Sequence, residues 1–209
     1  MNIAKAVYFD GEVNAPWAAA EYGENEAPKI RRLLADARIS RGLRLLEPGC
    51  GTGRLTEILA GAVGPRGRVE ALEISPRMVE ASRQRVSGRR NVRVHHVALE
   101  EYRDRGRGFD RIVCHQVFPH FDDKQEAAMR LAGLLRPDGL VVIVHFINFA
   151  AINDVHRKAG TTVEHDLMPP LEEIRRLFRR AGLVIDRFAD DALGYILRAR
   201  PATGAAARR

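Results

Sequence analysis

Leu43-Arg44-Leu45-Leu46-Glu47-Pro48-Gly49-Cys50-Gly51-Thr52-Gly53-Arg54-Leu55-Thr56-Glu57-Ile58-Leu59 decides how this chain is read: an apolar strand runs straight into a glycine-rich turn and out into a helix. Glycines at 49, 51 and 53 permit a tight strand-to-helix turn and let backbone approach a ligand closely. The spacing is G-x-G-x-G, with the third glycine one position too early for the dinucleotide fingerprint, and no Gly-Lys-Ser/Thr follows to make a phosphate loop. A nucleoside ligand of another kind is the expectation.

Outward from this turn, strands and helices alternate. Strands are expected at Leu43–Glu47, Arg68–Glu73, Val92–His96, Phe109–His115 and Leu140–His145, and helices at Gly53–Ala62, Pro76–Ser87 and Asp123–Leu135. Near-continuous apolar runs such as Leu140–Val144 suit buried parallel strands, and the alternation implies βαβ units. A helix at Glu26–Ala37 precedes the first strand. After the fifth come a helical pattern at Phe149–Ala159, a turn-rich stretch, a helix at Leu171–Ala181 ended by Gly182, and a hairpin of Leu183–Ala189 and Gly194–Arg200 turning at Asp190-Asp191. The whole reads as one domain over 1–209: a helical cap (1–40), a core (43–146), an insertion (147–170), a helix and hairpin (171–200) and a flexible tail (201–209).

Composition sets limits. Hydrophobic residues make up 45% and charged residues 29%, a globular balance that needs no staples. Cys50 and Cys114 show no finger or disulfide spacing, so a reducing cytoplasm is expected. No stretch reaches the ~20 apolar residues of a membrane span. The net charge of +7 includes Arg198, Arg200, Arg208 and Arg209, which leaves +3 on the body, and the remaining arginines sit among acids. That pattern reads as a solvated basic surface rather than a nucleic-acid footprint.

The second strand ends at Glu73, 20 residues after Gly53, where an acid can accept hydrogen bonds from both ribose hydroxyls of a nucleoside. Ile74 and Met78 follow, suited to packing on an adenine ring. Taken with NVRVHHVALEEY, FDRIVCHQVFPHF and LLRPDGLVVIVHF, the sequences LRLLEPGCGTGRLTEIL and VEALEISPRMVEASRQR closely resemble the class I S-adenosylmethionine-dependent methyltransferases, in particular their small-molecule, quinone C-methyltransferase-like branch. The resemblance covers roughly residues 25 to 200.

It implies an α/β, Rossmann-like fold: a seven-stranded, mostly parallel sheet in the order 3-2-1-4-5-7-6, strand 7 antiparallel, with helices on both faces. It implies S-adenosylmethionine as cofactor and S-adenosylhomocysteine as product. Glu47 takes the acidic place at the head of the turn, with Gly49, Cys50, Gly51 and Gly53 under the methionine part. Glu73 holds the ribose, Ile74 and Met78 flank the adenine, Leu99 and Glu100 form its other wall, and His115 borders the donor. Ala98 stands where the family commonly has Asp, so the adenine amine loses that partner or uses Glu100.

The acceptor half is read from histidines. His115, His120, His145, His156 and His165 all fall at or after the ends of strands four and five, and a group titrating near neutrality can take a proton as the acceptor attacks. His120, His145 and His156 are the candidate catalytic residues. His120, His145, His156, His165 and Asp166 could instead gather a Zn, Ni or Fe ion, although their spacing is no recognised helical ligand pair, and metal is not the favoured reading. Tyr8, Phe9, Trp17 and Tyr22 and the insertion after residue 146 would cover the acceptor. The expected partner is a small-molecule acceptor and the expected state monomer or homodimer. An RNA or protein methyltransferase is a competing reading that lacks an appended binding module and the Asn/Asp-Pro-Pro-Tyr nucleobase motif. A cofactor-binding protein without turnover is another.

Overall fold

The computed structural model describes residues 1–104, 106, 108–160 and 162–202. Among them, β1 (Arg44–Pro48), β2 (Arg68–Glu73), β3 (Val92–His96), β4 (Phe109–His115), β5 (Leu135–His145), β6 (Leu183–Asp191) and β7 (Gly194–Pro201) form one sheet in the order β3-β2-β1-β4-β5-β7-β6. β1 and β3 each pair with β2 in parallel, β4 pairs with β5 in parallel, and β7 is antiparallel to both β5 and β6. This is the expected α/β topology, strand order included. No helix among the described residues is long and apolar enough to cross a membrane.

The chain divides into two compact units, Met1–Tyr102 and Arg103 onward. The first holds α1 (Ile3–Gly11), α2 (Pro16–Ala19), α3 (Ala27–Asp36), α4 (Arg54–Val63) and α5 (Pro76–Arg85) with β1 to β3. Leu45, Leu46, Val69, Ala71 and Leu72 are buried, as continuous apolar strands require when both faces are covered. Each buried leucine or valine contributes about 1.5–3 kcal/mol relative to exposure. Two local devices start α5, Ser75 Oγ accepting from the Met78 amide at 3.1 Å and Pro76 in the first turn, while Arg83 and Arg85 in the last turn complement its far end.

The second unit holds α6 (Lys124–Leu134), α7 (Phe149–Lys158) and α8 (Leu171–Arg180) with β4 to β7. Asp123 caps α6 through the Gln125 and Glu126 amides, and Asn148 caps α7 through the Ala151 amide. β6 is an edge strand and much of it is solvated, whereas β5 and β7 are buried along most of their length.

Three expected boundaries are corrected. β5 starts at Leu135 rather than Leu140, because Phe109 pairs with Leu135 before the ladder jumps to Arg111 opposite Leu140; the intervening Arg136-Pro137-Asp138-Gly139 bulges out, tied by Arg136 to Asp110 at 2.5 Å. The hairpin turns at Ala192-Leu193, since Asp190 and Asp191 are still paired with Tyr195 and Gly194. Gly194 has φ +102°, and a Cβ there would lie 2.2 Å from the His145 carbonyl oxygen, so only glycine lets β7 begin beside the end of β5. The tail does not fray at 201: Pro201 belongs to β7 and the Ala202 amide donates to Gly182 at 2.8 Å. Residues 203–209, including Arg208 and Arg209, lie outside the described residues.

Candidate functional site

The glycine turn joins β1 to α4. Gly49, Gly51 and Gly53 have φ of +66°, +55° and +83°, a left-handed series that L side chains resist. Gly49 and Gly51 remain partly exposed, whereas Gly53 is buried. A Cβ on Gly53 would lie 2.6 Å from Ser82 Oγ and 3.1 Å from Ser82 Cα, so this glycine lets α4 begin tight against α5. Cys50 is buried within the turn with its sulfur 3.7 Å from Ser82 Oγ, and burial, then the charges of Glu73 and Glu47, push its thiol well up, away from nucleophilic use.

Two carboxylates stand at the carboxyl ends of the neighbouring strands. Glu47 is 1% exposed and accepts from Thr56 Oγ1 at 2.6 Å. Burial pushes its carboxyl up to about 8; the Thr56 bond opposes the shift and the Glu73 charge adds to it. Glu73 is 6% exposed, with Oε2 accepting from the Gly51 amide at 2.9 Å and Oε1 from the Ile74 and Ser75 amides at 2.7 and 2.9 Å. Burial raises this carboxyl too, partly offset by the three amides and by His96. Among the described residues neither makes an ion pair, and the charge of His96 offsets only part of the shift at Glu73, so the turn buries two acids that are not neutralised. Such a pair fits a ligand that brings positive charge, as a sulfonium with an ammonium does.

The other residues expected around a nucleoside gather on the same unit. Ile74 is partly buried directly after Glu73, and Ala98, Leu99 and Glu100 form the turn after β3, anchored where the Val97 amide donates to the Glu73 carbonyl at 3.0 Å. Leu99 is buried and Glu100 partly exposed. Met78 is buried against Val13, Ala18 and Phe9.

Those contacts belong to a clasp that sequence reasoning foresaw only as a cap. Thr52 Oγ1 donates to the Ala18 carbonyl, and the Arg54 guanidinium donates to the carbonyls of Trp17 and, at 2.6 Å, Ala20, with its cation 4.5 Å from the centre of the Tyr22 ring. Arg85 pairs with Glu21 at 2.7 Å, and Ser75 Oγ and the Arg77 amide both donate to Asp10. Residues 10–22 are thus fastened to the glycine turn and to the start of α5.

The second unit holds the histidines. His115 ends β4, its ring 4.6 Å from that of Phe146; it is the one expected cofactor residue outside the first unit. His120 closes the 3-10 turn Phe118–His120, His145 ends β5, and His156 lies in the last turn of α7. The Nε2 atoms of His120 and His156 lie 3.4 Å apart, and His120 Nδ1 is 2.9 Å from Asp166 Oδ2. Burial pushes His145 well below the ordinary imidazole value, aided by positive charge on His115, His120 and His156. Burial, then His120, lowers His156 to about 4. Both rings are neutral at physiological pH.

His165 does not join this group: its side chain is 91% exposed, 3.3 Å from Glu164. No group of three or more His, Cys, Asp or Glu among the described residues is arranged to hold a metal ion. Two participants went unseen in the sequence. Asn153 is buried and grips Met168, accepting from its amide at 2.7 Å and donating to its carbonyl at 3.2 Å. Tyr195 is buried with its ring 6.4 Å from His145. An asparagine inside an apolar helix face was the available signal for the first; the second reads as an ordinary strand aromatic.

Comparison with known proteins follows these features. The family model described as a methyltransferase domain matches residues 46–141. Demethylmenaquinone methyltransferase of Staphylococcus aureus is 24% identical over 176 residues, covering 74% of this chain and 73% of its own. A SAM-dependent methyltransferase from Aquifex aeolicus has a TM-score of 0.66 at 16% identity over 95% of this chain and 97% of its own. A TehB-like SAM-dependent methyltransferase from Corynebacterium glutamicum has a TM-score of 0.64 at 18% identity over 96% and 100%. At these identities the structural likenesses establish the fold.

Proposed function

We propose that this chain, which belongs to the class I S-adenosylmethionine-dependent methyltransferases, transfers the methyl group to a small-molecule acceptor whose proton is taken by His120. S-adenosylmethionine is its cofactor. When bound it supplies an already activated methyl sulfonium, so the protein aligns the partners, excludes water and manages one proton. Glu73 holds the ribose hydroxyls, Glu47 faces the positive methionine part, and Gly49, Cys50, Gly51 and Gly53 give the backbone its close approach. Ile74, Met78 and Leu99 enclose the adenine, Glu100 offers an acceptor for its amine, and His115 borders the donor.

On the acceptor side, the observation that carries the reading is the gathering of neutral imidazoles around His120. A base works through an unprotonated nitrogen, and His145 and His156 add no fixed positive charge beside it at neutral pH. His145 and His156 line and position the acceptor. Cys50 and Cys114 are buried and form no disulfide, which supports a reducing cytoplasm, and we take the working form to be a monomer or homodimer.

The test begins with titration calorimetry of S-adenosylmethionine and S-adenosylhomocysteine into wild type. S-adenosylhomocysteine release is then followed with a panel of phenols, quinols, amines and thiols, and with tRNA. Turnover with a small protic compound, lost in His120→Gln, is expected. Turnover with tRNA alone, with a steep salt dependence of binding, would overturn the small-molecule reading.

A further inference from the structure

We infer that Asp166 is the positioning residue for proton removal: it accepts the Nδ1–H of His120 and so fixes the imidazole with its lone pair on Nε2. The inference rests on His120 being the base.

Both partners are largely buried, their side chains 16% and 13% exposed, and the 2.9 Å separation is that of a charge-assisted hydrogen bond. An ionised carboxylate can only accept, so the proton must reside on Nδ1 and a neutral His120 must carry its lone pair on Nε2. That choice propagates. With His120 Nε2 bare, a proton shared across the 3.4 Å between the two Nε2 atoms comes from His156, whose single N–H the Ile152 carbonyl also competes for.

The separation exceeds the roughly 2.7–3.2 Å of an ordinary N–H hydrogen bond, so the His156 contact is weak and easily replaced. An acceptor's hydroxyl or other protic group takes the place of the His156 N–H. As it reacts, its hydrogen passes to His120 Nε2 as a proton. The electron pair it leaves forms the bond to the methyl carbon, and the carbon–sulfur pair returns to sulfur. The imidazolium that results lies against the Asp166 carboxylate, which stabilises it.

Asp166 is itself held in place. Its amide donates to the Val163 carbonyl at 3.0 Å, and two residues on, Met168 is clamped by Asn153 of α7. Other titratable groups that bear on the pair include His145, itself influenced by His115, and Lys124, whose Nζ donates to the Phe121 carbonyl at 3.1 Å and whose positive charge disfavours protonation of His156. Asp166 is the acid whose charge opposes them at His156.

The experiment reads the tautomer directly, by long-range proton–nitrogen correlation on the ring nitrogens of the full chain at neutral pH. Wild type is expected to show His120 protonated on Nδ1. Asp166→Ala should move the proton to Nε2, and Asp166→Glu should restore it. Where an acceptor supports turnover, Asp166→Ala should lower kcat about 10²-fold or more, with KM within about threefold. A wild-type His120 protonated on Nε2, or a tautomer unmoved by Asp166→Ala, overturns the inference, and the wild-type spectrum decides even if the alanine variant fails to fold. Full turnover by His120→Gln would instead sink the assignment of the base, an outcome separable because the spectrum does not depend on activity.

Discussion

The glycine turn and the histidine cluster face the same physical problem with opposite sign. The turn buries acids, and loss of water drives Glu47 up to about 8 and raises Glu73. The cluster buries bases, and the same loss of water drives His156 down to about 4 and His145 well below the ordinary imidazole value. Desolvation pushes both regions toward their uncharged forms. What differs is what each then offers. Unpaired acids in the turn favour a ligand that carries positive charge, while neutral imidazoles offer lone pairs to a ligand that carries a proton. On the proposed function, donor chemistry and proton chemistry are thus prepared by one effect acting on two residue types.

The comparison breaks most visibly at His120. Replacing it with Gln should lower kcat about 10²–10⁴-fold while leaving S-adenosylmethionine affinity within about twofold, checked by steady-state kinetics beside calorimetry. Equal losses in both would mean that the two regions are not chemically separable. Next in size is Glu73→Ala, where loss of two charge-assisted hydrogen bonds should weaken S-adenosylmethionine binding about 10²-fold. Unchanged affinity would remove Glu73 from the donor site.

Glu47→Gln sharpens the electrostatic half of the comparison. The folded carboxyl titrates at about 8, above its ordinary 4.5, so the protonated form is the one the free protein favours. Its contribution to stability is therefore full below 4.5 and is lost as pH rises through about 8, and ligand-free melting of the Gln variant should fall less over that span. A cationic ligand reverses the preference and expels the proton. Wild-type affinity should accordingly gain up to about tenfold per pH unit between about 6 and 8 relative to the Gln variant, in which that gain is absent. Using the difference between variants removes the ligand's own amino-group titration.

The smallest effect is expected at Asn153. Exchange for Ala leaves the Met168 amide and carbonyl without their buried partner, costing about 1–3 kcal/mol. A melting temperature lower by several degrees is expected, with S-adenosylmethionine affinity unchanged. A weakened affinity would show that this clamp serves the donor side as well.

The two regions also differ in how far the sequence reveals them. Gly49, Gly51, Gly53 and Glu73 are legible because their demands are local: a left-handed turn needs glycine, and a strand end needs only its own apolar run. The sheet order was expected from the same stretch through its family resemblance. His120 and Asp166 are 46 residues apart, and the sequence brought them together only as candidate metal ligands, not as an imidazole and its carboxylate partner. His165, adjacent to Asp166, looked an equal member of the cluster, yet a turn of the chain sends it to solvent. The early start of β5 was hidden by Pro137-Asp138-Gly139, a turn signal that here marks a bulge rather than an end. Thr52, Arg54 and Ser75 escaped notice because their partners are main-chain carbonyls or a distant acid, which leave no pattern in side-chain spacing.

That last feature shapes how this chain tolerates change. The clasp over the glycine turn is made largely with the peptide carbonyls of Trp17, Ala18 and Ala20, which every amino acid possesses, while the donors are the side chains of Thr52 and Arg54. Information about the clasp is therefore stored on one side of it. A library randomised at the exposed positions 17 and 20 should retain many functional members so long as the backbone keeps its path, whereas Ala18, buried against Met78, tolerates only small residues. One randomised at 52 and 54 should collapse toward hydroxyl and guanidinium. The exposed positions of the N-terminal stretch are free to diversify while its fastening to the glycine turn stays unaltered.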